Sequence, residues 1–319
     1  PAARSPQPID RDHRMSRKPA SAPAHRQPLG TTLILTTLAM IAFAANSVLC
    51  RAALDGPDID AASFTALRLA SGALMLWLLL RGKAGAQRLA AAGDWLSAGY
   101  LYLYAITFSL AYLQLATGSG ALILFGCVQL SMIGVSLLRG ERPGGIEWAG
   151  LLLAGAGLVY LLWPGLAAPP VGGALLMAVA GIAWGLYSLR GRGAADPLPS
   201  TAGNFLRAAP LGLGTLLIAG LLDLTGSDAG LHASASGIAL ALASGALTSG
   251  LGYAIWYAAL RGLGATSAAS VQLSVPVIAA LGGVLFVGES VSLRLLLASL
   301  LILGGIALVL LGRERQSRH

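Results

Sequence analysis

Between residues 31 and 311 the chain is a succession of ten apolar segments, at 31–52, 61–81, 95–116, 118–138, 146–164, 172–190, 202–222, 236–260, 265–287 and 291–311. A helix needs about 20 largely apolar residues to cross the hydrocarbon core of a bilayer. None of the segments alternates apolar with polar residues, and an open sheet cannot satisfy its edges in lipid. The expected fold is therefore all-α and integral to a membrane, with ten transmembrane helices. Charged residues make up only 11% of the chain, against about 25% in soluble domains. The 42 glycines and the frequent alanines let such helices approach closely where no hydrophobic effect drives them together.

Ten spans put both ends of the chain on one side. With the N-terminus inside, the inner segments hold Arg4, Arg11, Arg14, Arg17, Lys18, Arg26, Arg81, Lys83, Arg88, Arg139, Arg142, Arg190, Arg192, Arg261, Arg313, Arg315 and Arg318. The outer loops keep only Arg51 and Arg294, beside Asp55, Asp58, Asp60, Asp223 and Asp228. Cytoplasmic loops retain Lys and Arg, so both termini are expected in the cytoplasm. The same dispersal argues against reading the net charge of +8 as a nucleic-acid surface. Trp95, Trp148 and Trp163 fall near segment ends, where interfacial anchors sit.

The segments repeat. Gly140-Glu141 and Gly288-Glu289 each close one apolar segment and precede another. Phe64 to Arg68 parallels Asn204 to Arg207, and Ala42 to Asn46 parallels Ala183 to Tyr187. This divides the chain into a first five-helix repeat over 30–165 and a second over 166–312. Five is odd, so the second repeat enters the membrane with opposite orientation, as in transporters built from inverted repeats. Residues 1–29 are polar, basic and Pro-rich and are expected to form a disordered tail. They lack the apolar core of a signal peptide. Met15 is a candidate start, which would place residues 1–14 outside the native chain. Residues 313–319 form a cytoplasmic C-terminal tail.

Enzymatic constellations are missing from the spans. His13, His25, His232 and His319 lie in tails or one outer loop, and every Asp and Glu lies at a segment end or in a loop. No Cys/His/Asp cluster of metal-ligand spacing, no phosphate-binding Gly loop and no Ser/His/Asp set can be assembled in the bilayer. The chain is expected not to be an enzyme and to use no cofactor or metal. Cys50 and Cys127 fall inside segments and read as small packing residues.

What the segments do carry is aromatic and uncharged polar residues. Tyr100, Tyr104, Phe108 and Tyr112 form a stripe at spacing four on one helical face. Trp184 and Tyr187 stand on the sixth segment, and Tyr253, Trp256 and Tyr257 on the eighth. These are bundle packing or the wall of a cavity; a tyrosine hydroxyl in lipid needs a partner. Asn46, Gln129, Gln272 and Ser274 either hold helices together or hydrogen-bond a polar substrate. Pro276 frees a backbone carbonyl and is expected to kink the ninth helix. Arg68 and Arg207 stand at matching positions inside segments, where a charge costs about 2.5–3.5 kcal/mol on insertion scales. They read as structural or gating residues, with a substrate carboxylate as the alternative partner. Glu141 and Glu289 read as caps or tethers at the corners between helices four and five and between nine and ten.

The two five-helix repeats, the Arg in the second helix of each and the Gly-Glu after the fourth resemble the EamA-type members of the drug/metabolite transporter superfamily. The aromatic density on helices three, six and eight is most similar to the bacterial aromatic amino acid exporter. The resemblance covers roughly 31–312 and implies a basket of ten helices around a central cavity, lined mainly by helices one, three, four, six, eight and nine. It points to Asn46, Tyr104, Gln129, Trp184, Tyr253 and Gln272 as lining residues. It implies a multi-pass protein of the bacterial inner membrane that exports aromatic and other neutral amino acids by alternating access. With no carboxylate in the path, weakly coupled or facilitative export is expected. Export of a cationic drug or a nucleoside, and a non-transporting scaffold, are the alternatives. Gly155, Gly157, Gly304 and Gly305 could pack within one chain or across a homodimer.

Overall fold

The computed structural model describes residues 28–81, 92–138, 140, 144–165, 168–191, 196–224, 230–263 and 265–316. These residues are helical, with one isolated bridge between Ile59 and Ala233 and no strands among them. In chain order the helices are α1 (Leu29–Leu54), α2 (Ala61–Leu80), α3 (Trp95–Tyr112), α4 (Thr117–Leu138), α5 (Gly145–Leu162), α6 (Val171–Gly191), α7 (Pro197–Leu224), α8 (Ala235–Leu260), α9 (Ala265–Val287) and α10 (Leu293–Gln316). Among the described residues, nine helices are long and apolar enough to cross a membrane. The helix outside that set is α3, whose Tyr100, Tyr102, Tyr104 and Tyr112 lower its hydropathy. The tail over 1–27, Glu141 and residues 317–319 lie outside the described residues.

Local sequence explains where the helices begin and end. Asp60, Asp94 and Ser234 precede α2, α3 and α8 in extended backbone and accept from the amides of Ser63, Ser97 and Gly237. Each side chain thereby satisfies one of the donors a helix start leaves open. Both repeated Gly-Glu pairs begin with a glycine in the left-handed region, Gly140 at φ 87° and Gly288 at φ 73°. Glycine occupies that conformation without the steric cost other residues meet, which makes it the common helix terminator.

Two helices depart from regular geometry. Within α8, residues Ser244–Leu251 form a π-helical turn. Within α9 the helix breaks at Leu273, between Ala265–Gln272 and Ser274–Gly282, and the stretch Gly283–Val287 is again π-helical. Pro276 accounts for the break: lacking an N–H, it cannot bond the carbonyl of Gln272 four residues back.

Packing crosses the chain's midpoint. Helix α1 lies against α8 and α9, and α6 against α3 and α4. Helix α2 packs on α7 and α8, α3 on α7, α4 on α9, and α5 on α10. The close crossing of α2 and α8 requires Gly245, since a Cβ there would overlap the carbonyl oxygen of Arg68. Gly157 and Gly305 are packed between α5 and α10 of the same chain, whereas Gly155 and Gly304 face open space. Leu33, Leu152, Leu217, Phe286 and Leu300 are exposed, as befits surface solvated by lipid acyl chains.

Candidate functional site

A cavity opens where α1, α3, α4, α6 and α8 converge, walled by Phe43, Asn46, Ser47, Tyr104, Phe108, Leu124, Phe125, Trp184, Thr248, Ser249 and Tyr253. It is small, a cavity of about 20 Å³, room for about one water molecule. Side chains therefore fill most of the site in this conformation.

One wall is aromatic and centred on Trp184. Its ring lies 4.9 Å from Tyr104, 5.2 Å from Tyr253 and 5.3 Å, stacked, from Tyr187. Phe43 meets Tyr253 and Trp256 edge-on at 5.8 Å. The stripe on α3 is continuous through Tyr104, Phe108 and Tyr112, with centroids 5.3 and 4.8 Å apart. Such offset and edge-on pairs are the favoured aromatic geometries.

The other wall is polar and centred on Asn46. Its Oδ1 accepts from Ser244 Oγ at 2.8 Å, with Thr248 Oγ1, which donates to the Ser244 carbonyl at 2.7 Å, 3.3 Å away. Its Nδ2 donates to the Tyr104 hydroxyl at 3.2 Å. Arg68 Nη2 donates to the same hydroxyl at 3.0 Å, and the guanidinium lies 5.1 and 4.9 Å from the Tyr104 and Phe108 ring centroids. Arg68 is 2% exposed. Its Nη1 and the Oγ of Ser249 are buried with no hydrogen-bond partner among the described residues.

Of the residues singled out in the sequence, Asn46, Tyr104, Phe108, Trp184 and Tyr253 line the cavity. Tyr187 backs Trp184, Trp256 backs Phe43, and Tyr257 bonds Thr201 at 2.9 Å. Tyr100 is half-buried and Gln129 buried, both outside the lining. On α9, Gln272 is half-buried at the helix break and Ser274 is exposed, its hydroxyl donating to the Val271 carbonyl at 2.7 Å. No residue of α9 reaches the cavity. Pro276 is buried on α9 beyond the break.

The two matched arginines differ. Arg68 is deep beside the cavity. Arg207 is half-buried at the opposite flank, donating from Nη1 to the carbonyls of Ala92 at 2.6 Å and Gly203 at 2.9 Å, and so ties α7 to the chain entering α3. Glu289 turns back from the end of α9 to cap α4: both its carboxylate oxygens lie 2.9 Å from the Thr117 amide. It also pairs with Arg51 Nε at 3.3 Å, while Arg51 reaches Asp55 and the Tyr112 carbonyl. One carboxylate thus joins α1, α4 and α9.

A second tether stands at the start of α3. Asp94 accepts from Ser97 at 2.9 Å and 2.7 Å and pairs with Arg190 at 3.0 Å. Partial burial pushes the Asp94 carboxyl up, but the Ser97 bonds and the Arg190 charge outweigh it and hold the group below the ordinary carboxylate value.

Ser47, Ser249, Thr248 and Ser244 were not singled out from sequence. For Ser244, Thr248 and Ser249 the signal was the polar run Ser244-Gly-Ala-Leu-Thr248-Ser249-Gly250 inside an otherwise apolar segment.

Residues 171–311 match the EamA-like transporter family. An uncharacterized protein of Pseudomonas aeruginosa is 57% identical over 284 residues, covering 88% of this chain and 95% of that protein. An uncharacterized transporter of Archaeoglobus fulgidus is 26% identical over 259 residues, covering 78% of this chain and 87% of its own length. A solved crystal structure shares the fold with TM-score 0.62 at 23% identity, over 89% of this chain and 99% of that one.

Proposed function

The chain belongs to the EamA-like transporter family, and we propose that this membrane transporter exports amino acids, aromatic and other neutral ones, across the bacterial inner membrane by alternating access. The observation that carries this reading is the cavity itself, with an aromatic wall around Trp184 facing a hydrogen-bonding wall around Asn46. Rings stack on a flat or apolar side chain, while amides and hydroxyls meet the polar end of an amino acid. Each of these residues lies well inside its helix, at the depth where such transporters hold substrate.

We read the chain as two inverted repeats, 30–165 and 166–312, with ten spans and both termini cytoplasmic; the helix contacts support the division into two related halves. Exchanging each helix with the one five places on carries the α1–α8 contact onto α6–α3, α1–α9 onto α6–α4, and α2–α8 onto α7–α3. The α2–α7, α4–α9 and α5–α10 contacts map onto themselves. The stretch matched by the family, 171–311, is also close to the second repeat. No carboxylate stands among the described lining residues, which fits weakly coupled or facilitative export driven by the substrate gradient.

The test is counterflow of radiolabelled phenylalanine, threonine and lysine in proteoliposomes beside empty vesicles. Uptake of phenylalanine and threonine, abolished in folded Trp184→Ala and Tyr253→Ala variants, is expected. Normal transport by both variants would place the substrate elsewhere, and uptake of none of the three would discard amino acids as cargo.

A further inference from the structure

We infer that Arg68 and Tyr104 form an anion-recognising pole of the cavity that selects substrates bearing a carboxylate; the inference rests on the reading of this cavity as the transport site. Four observations carry it. First, Arg68 is a cation buried to 2% exposure, and no carboxylate is paired to it among the described residues. A buried charge left without a counter-ion is unfavourable, and its ring contacts with Tyr104 and Phe108 compensate only in part.

Second, the Tyr104 hydroxyl oxygen receives two donors, from Asn46 at 3.2 Å and Arg68 at 3.0 Å. Both lone pairs are engaged, so the hydroxyl hydrogen is left to donate. Third, the Asn46 carbonyl accepts from Ser244 at 2.8 Å and has the Thr248 hydroxyl, which donates to the Ser244 carbonyl, beside it at 3.3 Å, so what the amide offers the cavity is chiefly an N–H. Fourth, two buried polar atoms have no partner here: Arg68 Nη1, and the Oγ of Ser249 on the cavity wall.

The pole thus presents donors backed by one positive charge. The complementary group is an acceptor of one negative charge, which a carboxylate supplies and an ammonium does not. Arg68 polarises the Tyr104 hydroxyl toward that group, and charge-assisted bonds of this kind are the stronger ones. A cationic drug would meet like charge at low dielectric, so the same pole excludes it.

The experiment uses the full chain, purified in detergent, with tryptophan quenching and thermal-shift titrations of phenylalanine, 3-phenylpropanoate and its uncharged isostere 3-phenylpropanamide. Both carboxylates are expected to bind at least about tenfold more tightly than the amide. Tyr104→Phe, which keeps the ring, should narrow that preference to within about threefold, and Arg68→Gln should abolish it. If Arg68→Gln fails to fold, Tyr104→Phe alone decides. Equal binding of acid and amide by the unaltered chain, or an unchanged preference in Tyr104→Phe, overturns the inference. Binding of 3-phenylpropanoate without phenylalanine would overturn the amino-acid cargo and leave the anion pole standing; binding of neither carboxylate would overturn both.

Discussion

Asn46 Oδ1 and Ser244 Oγ, 2.8 Å apart, join the middle of α1 to the π-helical turn of α8 across nearly 200 residues of chain. Both are buried. Replacing Asn46 with Ala removes the acceptor of the Ser244 hydroxyl and one donor to Tyr104, while Thr248 keeps the Ser244 carbonyl. Stranding buried polar groups costs about 1–3 kcal/mol, so the detergent-purified Asn46→Ala protein should melt several degrees lower. Ser244→Ala should cost less, and the double variant less than the sum of the two. Additive losses in a double-mutant cycle would show that the two side chains are not coupled.

The α2–α8 crossing tolerates no side chain at Gly245. A Cβ there meets the Arg68 carbonyl and the Ser71 hydroxyl, and overpacking of this kind costs about 1–3 kcal/mol. Gly245→Ala is expected to be destabilised to that extent. Gly304→Ala, on α10 with open space around it, should stay within about 0.5 kcal/mol. Equal melting of the two variants would contradict the crossing.

Glu289 serves the Thr117 amide and Arg51 together. Glu289→Ala removes both and should cost about 1.5–3 kcal/mol, the range for hydrogen bonds to a charged group. Glu289→Gln retains an acceptor for the amide and should fall between the two proteins. A glutamine variant as unstable as the alanine one would assign the whole effect to the ion pair.

The Asp94 tether is acid-labile. Because folding lowers the pKa of this carboxyl, its contribution is complete above the unfolded value, about 3.9, and is lost as pH falls through the lower folded value. Asp94→Asn should therefore melt below the unaltered protein at neutral pH, with the gap closing below about pH 4. A gap independent of pH between 3 and 7 would mean that the charge contributes nothing.

The sequence pattern was most informative where chemistry leaves one choice. Gly140 and Gly288 are repeated because a helix end needs a residue at positive φ. Asn46, Tyr104, Trp184 and Tyr253 stand out because polar and aromatic groups are scarce in segments this apolar. What the sequence hides is direction. Helices that are apolar all round carry no amphipathic stripe to say which face turns inward, so Gln129, Gln272 and Ser274 looked as suitable as Asn46. The break at Leu273 and the π-helical turn over Ser244–Leu251 also change the facing of whatever follows them, and a 3.6-residue period cannot register that. The same turn explains why Ser249 escaped notice. The equivalence of Arg68 and Arg207 was legible as position but not as environment, since burial depends on what the partner helices bring.

The π-helical turn in α8 amounts to roughly one surplus residue wound into a helix that is otherwise regular. Such a surplus is a displaceable defect. Sliding it along the helix leaves both ends in place and swings only the residues it passes, each by about 100°, one residue's share of a 3.6-residue turn. Ser244, Thr248 and Ser249 are those residues, so α8 holds the means to exchange which hydroxyls face Asn46 without moving its own ends.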